Sequence, residues 1–215
     1  MKEYNKVLTI AGSDSGGGAG IQADIKTISA LGCYASCAIT AVTVQNTLGV
    51  EAVHAVPIEI LKGQIASVLS DIGTDAVKIG MLHSSEVVRA TRDMLDKFNA
   101  PNIVLDPVMV STSGHKLIED EAIESLTKIL IPRARIITPN IPEAEILLGE
   151  KITSQEELPA FARKLSKLGG ANKVSVFLKA GHLTDDNLQD VFYNAEDDEI
   201  YLLNSKRIYT PNTHG

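Results

Sequence analysis

A glycine-rich turn near the start of the sequence is the first candidate for chemistry. It contains four glycines within five residues, Gly16, Gly17, Gly18 and Gly20. The turn follows the strand-like run Val7–Ile10 and precedes a helical pattern at Ile21–Leu31. Glycine lets backbone N–H groups come close to a ligand, and the start of a helix favours a negative or polar group. The spacing fits neither the Walker A loop nor the dinucleotide pattern. We therefore expect a ligand-binding turn, with a merely tight loop as the alternative.

Charged and amide side chains follow three later apolar segments. Asp106 comes directly after the strand-like run Ile103–Leu105. Asn140 and Glu143 form an N-x-x-E pattern that enters a helix, and Lys179 ends a mainly apolar strand. Carboxylates are suitable ligands for Mg²⁺, and a lysine at a strand end can contact nucleotide phosphates. The ordinary alternatives are a helix-start acid for Glu143 and a solvated lysine for Lys179.

Four further residues have positions and chemistry that suit the body of a small ligand. Asp24 lies one helical turn after Gly20, where a solvated acid that complements the helix dipole is equally plausible. Gln45 follows the second strand, and its amide donates and accepts side by side, which suits an aminopyrimidine edge. Met81 offers a polarizable surface to a flat ring, and Val108 is placed similarly. The alternatives are a turn residue for Gln45 and a core residue for Met81.

The composition limits the class of protein. The chain has 215 residues, is 44% hydrophobic and carries a formal net charge of −7. The negative charge, the absence of Trp and an aromatic content of 4% argue against nucleic-acid binding and against an anionic-membrane surface. We find no secretory signal and no apolar run long enough for a membrane span, so we expect a cytoplasmic protein. Cys33 and Cys37 fit neither a zinc nor a redox motif, and we expect reduced core residues.

The order of elements predicts one α/β domain. The predicted parallel strands are Val7–Ile10, Ala38–Val44, Ala76–Ile79, Ile103–Leu105, Ile136–Thr138 and Val174–Leu178. The predicted helices are Ile21–Leu31, Ile58–Leu69, Val87–Phe98, Ala122–Leu130, Glu143–Leu148 and Glu156–Leu168. This alternation predicts a mostly parallel sheet with helices on both faces. Asp190–Asn194 and Ile200–Leu203 predict an antiparallel hairpin at one edge, and Arg207–Tyr209 a further edge strand. Ligands of such sheets bind at the carboxyl ends of the strands.

Several segments resemble one family. The segment AGSDSGGGAGIQADIKT, at 11–27, is similar to the substrate-side loop of hydroxymethylpyrimidine/phosphomethylpyrimidine kinases of thiamine biosynthesis, which are ribokinase-like vitamin kinases. Gln45-Asn46-Thr47 resembles the pyrimidine-contacting segment of this family. Lys179-Ala180-Gly181-His182 resembles its K-G-G-H segment, with alanine in place of the first glycine. The resemblance implies a ribokinase-like three-layer sandwich with antiparallel edge strands.

The resemblance also implies ATP and Mg²⁺ as cofactors, a small pyrimidine as substrate and, in our expectation, a homodimer. The residues implied to hold the pyrimidine are Gly12, Gly20, Asp24, Gln45, Met81 and Val108. Those implied to organise the nucleotide are Asn140, Lys179 and Thr213, and those implied to bind the metal are Asp106 and Glu143. Gly215 is the implied catalytic residue, as part of a loop that forms an anion hole. Because Thr213-His214-Gly215 resembles only the start of T-H-G-T-G-C, we expect the natural protein to continue for some tens of residues.

Two other functions remain open at this point. A pyridoxal or pyridoxine kinase would use the same fold with a different ring. A non-catalytic pyrimidine-binding module would bind the ring without ATP turnover, but it would have no need of the metal and phosphate residues.

Overall fold

A single nine-stranded sheet organises the molecule. The computed structural model describes residues 3–109, 118–183 and 186–209. The strands are β1 (Lys6–Ser13), β2 (Tyr34–Asn46), β3 (Gly49–Ala55), β4 (Ala76–Ile79), β5 (Ile103–Leu105), β6 (Ile136–Ile137), β7 (Ser175–Leu178), β8 (Asn187–Asn194) and β9 (Glu199–Lys206). Their order across the sheet is β3-β2-β1-β4-β5-β6-β7-β8-β9. The six central strands are parallel to one another, namely β2, β1, β4, β5, β6 and β7. Strands β3, β8 and β9 are antiparallel to their neighbours.

The predicted parallel strands and the hairpin are confirmed, but both edges of the sheet differ from the prediction. Strand β3 was not predicted, and it pairs with the second half of β2, which therefore runs on to Asn46. The valines and the alanines of β3 are mostly exposed, so the segment lacks the apolar run that identifies a buried strand. The prediction of a strand at Arg207–Tyr209 was wrong. The backbone N–H of Arg207 bonds the carbonyl of Asp186, beyond the last pair of the β8–β9 ladder.

Six α-helices connect the strands. They are α1 (Gly20–Ala30), α2 (Ile58–Ser67), α3 (Ser85–Lys97), α4 (Asp120–Ser125), α5 (Ile141–Leu148) and α6 (Leu158–Ser166). Helices α2 and α4 continue into wider π turns at Val68–Ile72 and Leu126–Leu130, which together account for the longer helices predicted there. Among the described residues, no helix is both long and apolar enough to span a membrane.

The strands bury one face of the sheet in the main core. Leu8, Ile79 and Leu105 belong to a buried cluster that includes Leu61 of α2 and Leu95 of α3. Burying such a side chain contributes roughly 1.5–3 kcal/mol. Because side chains alternate along a strand, the residues between them face the other side.

Helix α1 lies on that other side. Its Asp24 bonds Thr9 of β1 and Lys78 of β4, which are paired in register and therefore share a face. The predicted arrangement with helices on both faces is therefore confirmed.

Candidate functional site

The glycine-rich turn is built around the buried carboxylate of Asp14. This side chain is 3% exposed. Its Oδ1 accepts from the N–H of Gly16 at 2.8 Å, and its Oδ2 accepts from Gly18 at 2.9 Å and from Ala19 at 2.8 Å. The N–H of Gly17 donates to the Asp14 carbonyl at 3.0 Å. The expectation that these N–H groups face a ligand was therefore wrong, because the protein's own carboxylate occupies them. The sequence signal for this role is an aspartate just before glycines, a common Asx-turn position.

Gly12, Gly20 and Met81 form one packed group at the ends of β1 and β4. Gly20 has φ +57°, and a Cβ there would lie 2.3 Å from the Gly12 carbonyl oxygen. A Cβ on Gly12 would lie 2.8 Å from the Met81 Cε. Thr40 Oγ1 of β2 donates to the Met81 carbonyl at 2.9 Å. The two glycines are therefore required for the close approach of three segments, and Met81 is held half-buried beside them.

Gln45 lies inside β2 rather than after it, because β3 extends the pairing of that strand. The β2–β3 register shifts between Val44 and Gln45. Ser15 Oγ donates to the Gln45 carbonyl at 2.6 Å and accepts from its N–H at 2.8 Å. Thr43 Oγ1 donates to the Ser13 carbonyl at 2.8 Å and lies 3.3 Å from Gln45 Oε1. The backbone of Gln45 is thus hydrogen-bonded to the turn, while among the described residues its side-chain amide has one hydrogen-bond contact, at 3.3 Å.

Asp24 points into the layer between α1 and the sheet. Its carboxylate accepts from Thr9 Oγ1 at 2.6 Å and forms an ion pair with Lys78 Nζ at 2.9 Å. Lys78 Nζ reaches towards Gly80, where an added Cβ would lie 3.0 Å from it. The ion pair therefore ties α1 to the end of β4, and substrate contact by Asp24 stays a prediction.

The ends of β5, β6 and β7 bring three polar side chains together. Asp106 Oδ1 accepts from Thr138 Oγ1 at 2.8 Å and from Lys179 Nζ at 3.0 Å. These residues come one position after the buried Leu105, Ile137 and Leu178, so they share the opposite face of the sheet. Thr138 was not predicted as a site residue, although its place at a strand end is the same signal that singled out Asp106.

Asn140 and Glu143 form a capping box at the start of α5. Asn140 Oδ1 accepts from the Glu143 N–H at 2.9 Å, and Glu143 Oε2 accepts from the Asn140 N–H at 2.8 Å. Glu143 is 3% exposed. Burial raises the pKa of Glu143 from its ordinary value near 4.5 to about 7, despite the N–H groups of Asn140 and Met109 and the charge of Lys179, which lower it. The charge of Asp106 raises that pKa further. A helix-start acid on the surface would show neither this burial nor this shift.

Asp106 and Glu143 suit a hard divalent cation. Within residues 3–109, 118–183 and 186–209, no group of three or more His, Cys, Asp or Glu could hold a metal ion. Mg²⁺ often binds through one or two carboxylates and keeps water and phosphate oxygens as its other ligands. A cation beside Glu143 would also stabilise the buried carboxylate. These two residues therefore fit Mg²⁺, which when bound would supply positive charge to neutralise phosphate oxygens.

The remaining predicted site residues lie at the border of the described structure or outside it. Val108 is half-buried two residues after Asp106, and its N–H donates to the Asp106 carbonyl at 2.8 Å. Thr213 and Gly215 lie outside the described residues. His83 is half-buried after β4, and its Nδ1 is buried without a hydrogen-bond partner in the described part of the chain. Burial lowers the pKa of His83, while the charge of Glu119 raises it.

Two groups of residues thus lie at the carboxyl ends of the parallel strands. The glycine, methionine and glutamine group is at the ends of β1, β2 and β4, and the charged group is at the ends of β5, β6 and β7. Since β4 and β5 are neighbours, the two groups adjoin.

Two solved structures similar to this one are a phosphomethylpyrimidine kinase and a pyridoxal kinase. The crystal structure of phosphomethylpyrimidine kinase from Clostridium difficile 630 matches with a TM-score of 0.83 and 46% identity, over 92% of this chain and 84% of that chain. An ADP complex of Bacillus subtilis pyridoxal kinase matches with a TM-score of 0.87 and 33% identity, over 99% and 79%. The fold and its charged strand edge are those of a ribokinase-like kinase, which is a phosphotransferase.

The sequence comparisons identify the family. Residues 14–215 match the phosphomethylpyrimidine kinase family. Hydroxymethylpyrimidine/phosphomethylpyrimidine kinase from Bacillus subtilis (strain 168) is 43% identical over 212 residues, which is 98% of this chain and 76% of that protein. A thiamine biosynthesis bifunctional protein from Geobacter sulfurreducens is 46% identical over 209 residues, which is 97% of this chain and 42% of that protein. The chain belongs to the phosphomethylpyrimidine kinase family, as its motifs indicated, and membership of a kinase family implies ATP as phosphate donor.

Proposed function

We propose that this protein phosphorylates 4-amino-5-hydroxymethyl-2-methylpyrimidine, and then its monophosphate, with ATP as donor. In each step an oxygen of the substrate bonds to the γ-phosphorus of ATP, the bond from that phosphorus to ADP breaks, and any hydroxyl proton passes to a base. The observation that carries the proposal is that the group of Gly12, Met81 and Gln45 adjoins the group of Asp106 and Lys179 at the carboxyl ends of the parallel strands. Catalysis of this kind comes mainly from positioning and charge stabilisation.

The pyrimidine would lie against Gly12, Gly20 and Met81, with Gln45 at its polar edge. Gly12 and Gly20 allow Met81 and the start of α1 to pack closely against the end of β1, and Met81 supplies a polarizable surface for the ring. The Gln45 amide supports this role because, within the described part of the chain, its side chain makes one hydrogen-bond contact of 3.3 Å, and the amide can pair with a ligand. Asp24 and Val108 complete the proposed pyrimidine site.

The phosphates would lie at the charged group. Lys179 supplies a cation for phosphate oxygens, and Asn140 orders the start of α5 beside it. Asp106 and Glu143 would bind Mg²⁺, and this is supported by the raised pKa of Glu143, because a cation there would offset its burial. Thr213 as a nucleotide contact and Gly215 as a catalytic residue remain proposals from the family resemblance.

Pyridoxal phosphorylation is the second candidate activity, favoured by the TM-score of 0.87 to a pyridoxal kinase. Steady-state kinetics with ATP and each alcohol in turn separate the two. We expect kcat/KM for the pyrimidine to exceed that for pyridoxal by at least about tenfold, which is about 1.4 kcal/mol of transition-state binding. A preference of that size for pyridoxal would overturn the assignment. Tight pyrimidine binding without ATP turnover would instead indicate a binding module.

Gln45→Ala tests the proposed site within that assay. We expect pyrimidine binding to weaken by roughly 1–3 kcal/mol, while the Kd of an ATP analogue is unchanged in calorimetry. Gln64→Ala is the matched control, because Gln64 of α2 also bonds β2, through the backbone of Ile39. This control should lower stability without changing pyrimidine binding. An unchanged pyrimidine Kd in Gln45→Ala would remove Gln45 from the site.

We further propose a cytoplasmic homodimer that binds neither nucleic acid nor membranes. Support for a dimer comes from apolar side chains on the β2–β3 hairpin, where Val42, Val44 and Val53 are 48%, 55% and 49% exposed. Sedimentation equilibrium should give a dimer for the wild type and a smaller species for Val53→Lys. A monomeric wild type would exclude the dimer. Cell fractionation would test the location, which the free Cys33 and Cys37 support because reduced thiols are usual in the cytosol.

A further inference from the structure

The glycine-rich turn is joined to β2 by a set of hydrogen bonds that the proposed chemistry does not use. Asp14 holds the turn from within, through the N–H groups of Gly16, Gly18 and Ala19. Gln22 of α1 holds it from the other side, since its Oε1 accepts from the Asp14 N–H at 2.9 Å and its Nε2 donates to Ser13 Oγ at 2.8 Å. The turn is therefore held by hydrogen bonds from its own Asp14 and from Gln22 of α1.

Ser15 connects the glycine-rich turn to Gln45. Its hydroxyl donates to the Gln45 carbonyl and accepts from the Gln45 N–H, so one side chain satisfies both backbone groups. The β2–β3 register shift skips Glu51 of β3, and Gln45 itself pairs with Val50. On the other side of β2, the β1–β2 ladder ends at the pair of Ser13 and Val42, so Gln45 lies beyond it. The hydroxyl of Ser15 therefore takes the place of a partner from β1.

We propose that Ser15 is a positioning residue for ring recognition, and that Asp14 supports it by fixing the turn that carries it. This inference rests on the proposed function in one respect, namely that Gln45 contacts the pyrimidine. The glycine-rich turn then serves to preorganise Gln45 over the Gly12 and Met81 surface, and it does not bind phosphate. Preorganisation lowers the ordering cost of binding, so its loss weakens ring binding selectively.

Ser15→Ala is the direct test, because Ser15 is exposed and its truncation leaves the core intact. We expect the pyrimidine KM to rise about tenfold, since two hydrogen bonds to Gln45 are lost. The ATP KM should stay within about twofold of the wild type, and Ser15→Thr should restore most of the pyrimidine affinity by restoring the hydroxyl. Ser36→Ala is the matched control, because Ser36 lies at the opposite end of β2 and its hydroxyl bonds the Val7 backbone. An unchanged pyrimidine KM in Ser15→Ala would overturn the proposal.

A double-mutant cycle shows whether Ser15 acts through Gln45. In the Gln45→Ala background, Ser15→Ala should have little further effect on the pyrimidine KM. Fully additive effects would mean that Ser15 acts by another route, and they too would overturn the proposal.

Hydrogen exchange tests the hydrogen-bond set without any assay of activity. Exchange of the Gln45 amide should speed up in Ser15→Ala, and exchange of the Gly18 and Ala19 amides should speed up in Asp14→Asn. Unchanged exchange at Gln45 would overturn the proposal whatever the kinetics show. If the wild type phosphorylates only pyridoxal, the proposed pyrimidine kinase function is wrong. The role of Ser15 is then tested by comparing the pyridoxal KM of the wild type and of Ser15→Ala. If the wild type binds neither ring, the proposed function and the proposed role of Ser15 are both wrong.

Discussion

Among the described residues, Glu143 has a pKa that is raised far above its ordinary value. A free glutamate ionises well below neutral pH, whereas burial raises the pKa of Glu143 to about 7 in the folded protein. The folded state therefore holds this proton more tightly than the unfolded state does. The stabilisation from the protonated group is complete below pH 4.5 and is lost as the pH rises through about 7.

Glu143→Gln should remove this pH dependence. Relative to the wild type, the variant should gain unfolding free energy between pH 5 and pH 8, by up to roughly 3 kcal/mol. The measurement is urea unfolding at several pH values without metal. Added Mg²⁺ at pH 8 should then stabilise the wild type and leave the variant unchanged.

Glu145→Gln is the control on the same helix. Burial acts to raise the pKa of Glu145, but the N–H of Ile152 and the ammonium of Lys151 outweigh it and leave the pKa lowered. Its linkage therefore acts below pH 4.5, as the pH falls, and its difference from the wild type should be flat between pH 5 and pH 8. A flat profile for Glu143→Gln as well would show that the buried charge is compensated.

Gly20 is constrained both by its backbone and by its neighbours. Gly20→Ala should lower the free energy of unfolding by about 2 kcal/mol or more, because φ +57° disfavours a Cβ and the added carbon would meet the Gly12 carbonyl. Gly32→Ala is the control, since Gly32 has φ +78° with nothing within 4 Å of an added Cβ. Thermal and urea unfolding should rank Gly20→Ala below Gly32→Ala. Equal losses would mean that the close approach to Gly12 costs nothing.

At the scale of elements, strand alternation explains the charged group. Each of β5, β6 and β7 ends on a buried aliphatic residue, and the next residue must point to the opposite face. Asp106, Thr138 and Lys179 therefore meet without any contribution from loop conformation. Helix α5 then begins at this edge and brings Glu143 to it.

Helices α5 and α3 each begin with a side-chain N-cap, so the effects of removing the two caps can be compared. Asn140→Ala and Ser84→Ala each remove an N-cap acceptor, from the N–H of Glu143 and of Val87 respectively. Each should cost about 1 kcal/mol of stability in urea unfolding. Only Asn140→Ala should also raise the Mg²⁺ concentration needed for half-maximal turnover, because it alone loosens Glu143. A similar rise in Ser84→Ala would mean that helix stability in general, and not the cap of α5, sets the metal requirement.

At the scale of the whole molecule, the described core lies mainly on one face of the sheet. Helices α2 to α6 contribute to the buried cluster on the face of Leu8 and Leu105, while α1 covers the face of Thr9 and Lys78. The central parallel strands should therefore carry far more of the stability than the antiparallel edge.

Two valines on strands test this distribution. Val77 of β4 is fully buried and Val53 of β3 is 49% exposed. Val77→Ala should lower the free energy of unfolding by about 2 kcal/mol, from two lost methyl groups and the cavity they leave. At protein concentrations low enough to dissociate the proposed dimer, Val53→Ala should change it by less than about 0.5 kcal/mol. Comparable losses of the two variants in chemical unfolding at those concentrations would mean that the hairpin edge contributes to the stability of the single chain as much as the central strands do.

Much of the molecule follows from local sequence alone. Apolar runs predicted all six parallel strands, because a strand that is covered by helices must be built mainly from apolar residues. The N-x-x-E pattern predicted the start of α5, because capping depends only on four consecutive residues. The family motifs indicate the kinase class from sequence alone. Strand β3 escaped prediction because its side chains are mostly exposed.

The tertiary structure alone decided how those residues are used. The position of Asp14 before glycines is typical of an Asx turn, but only folding buries its carboxylate and turns the glycine amides towards it. The sequence leaves Asp24 open between a ligand contact and a solvated acid, and only the pairing of β1 with β4 brings Lys78 against it. The raised pKa of Glu143 likewise depends on what packs around it. The burial of a side chain, the charges near it and its hydrogen-bond partners depend on segments that are distant in sequence and meet only when the chain folds. The local sequence pattern therefore cannot determine them.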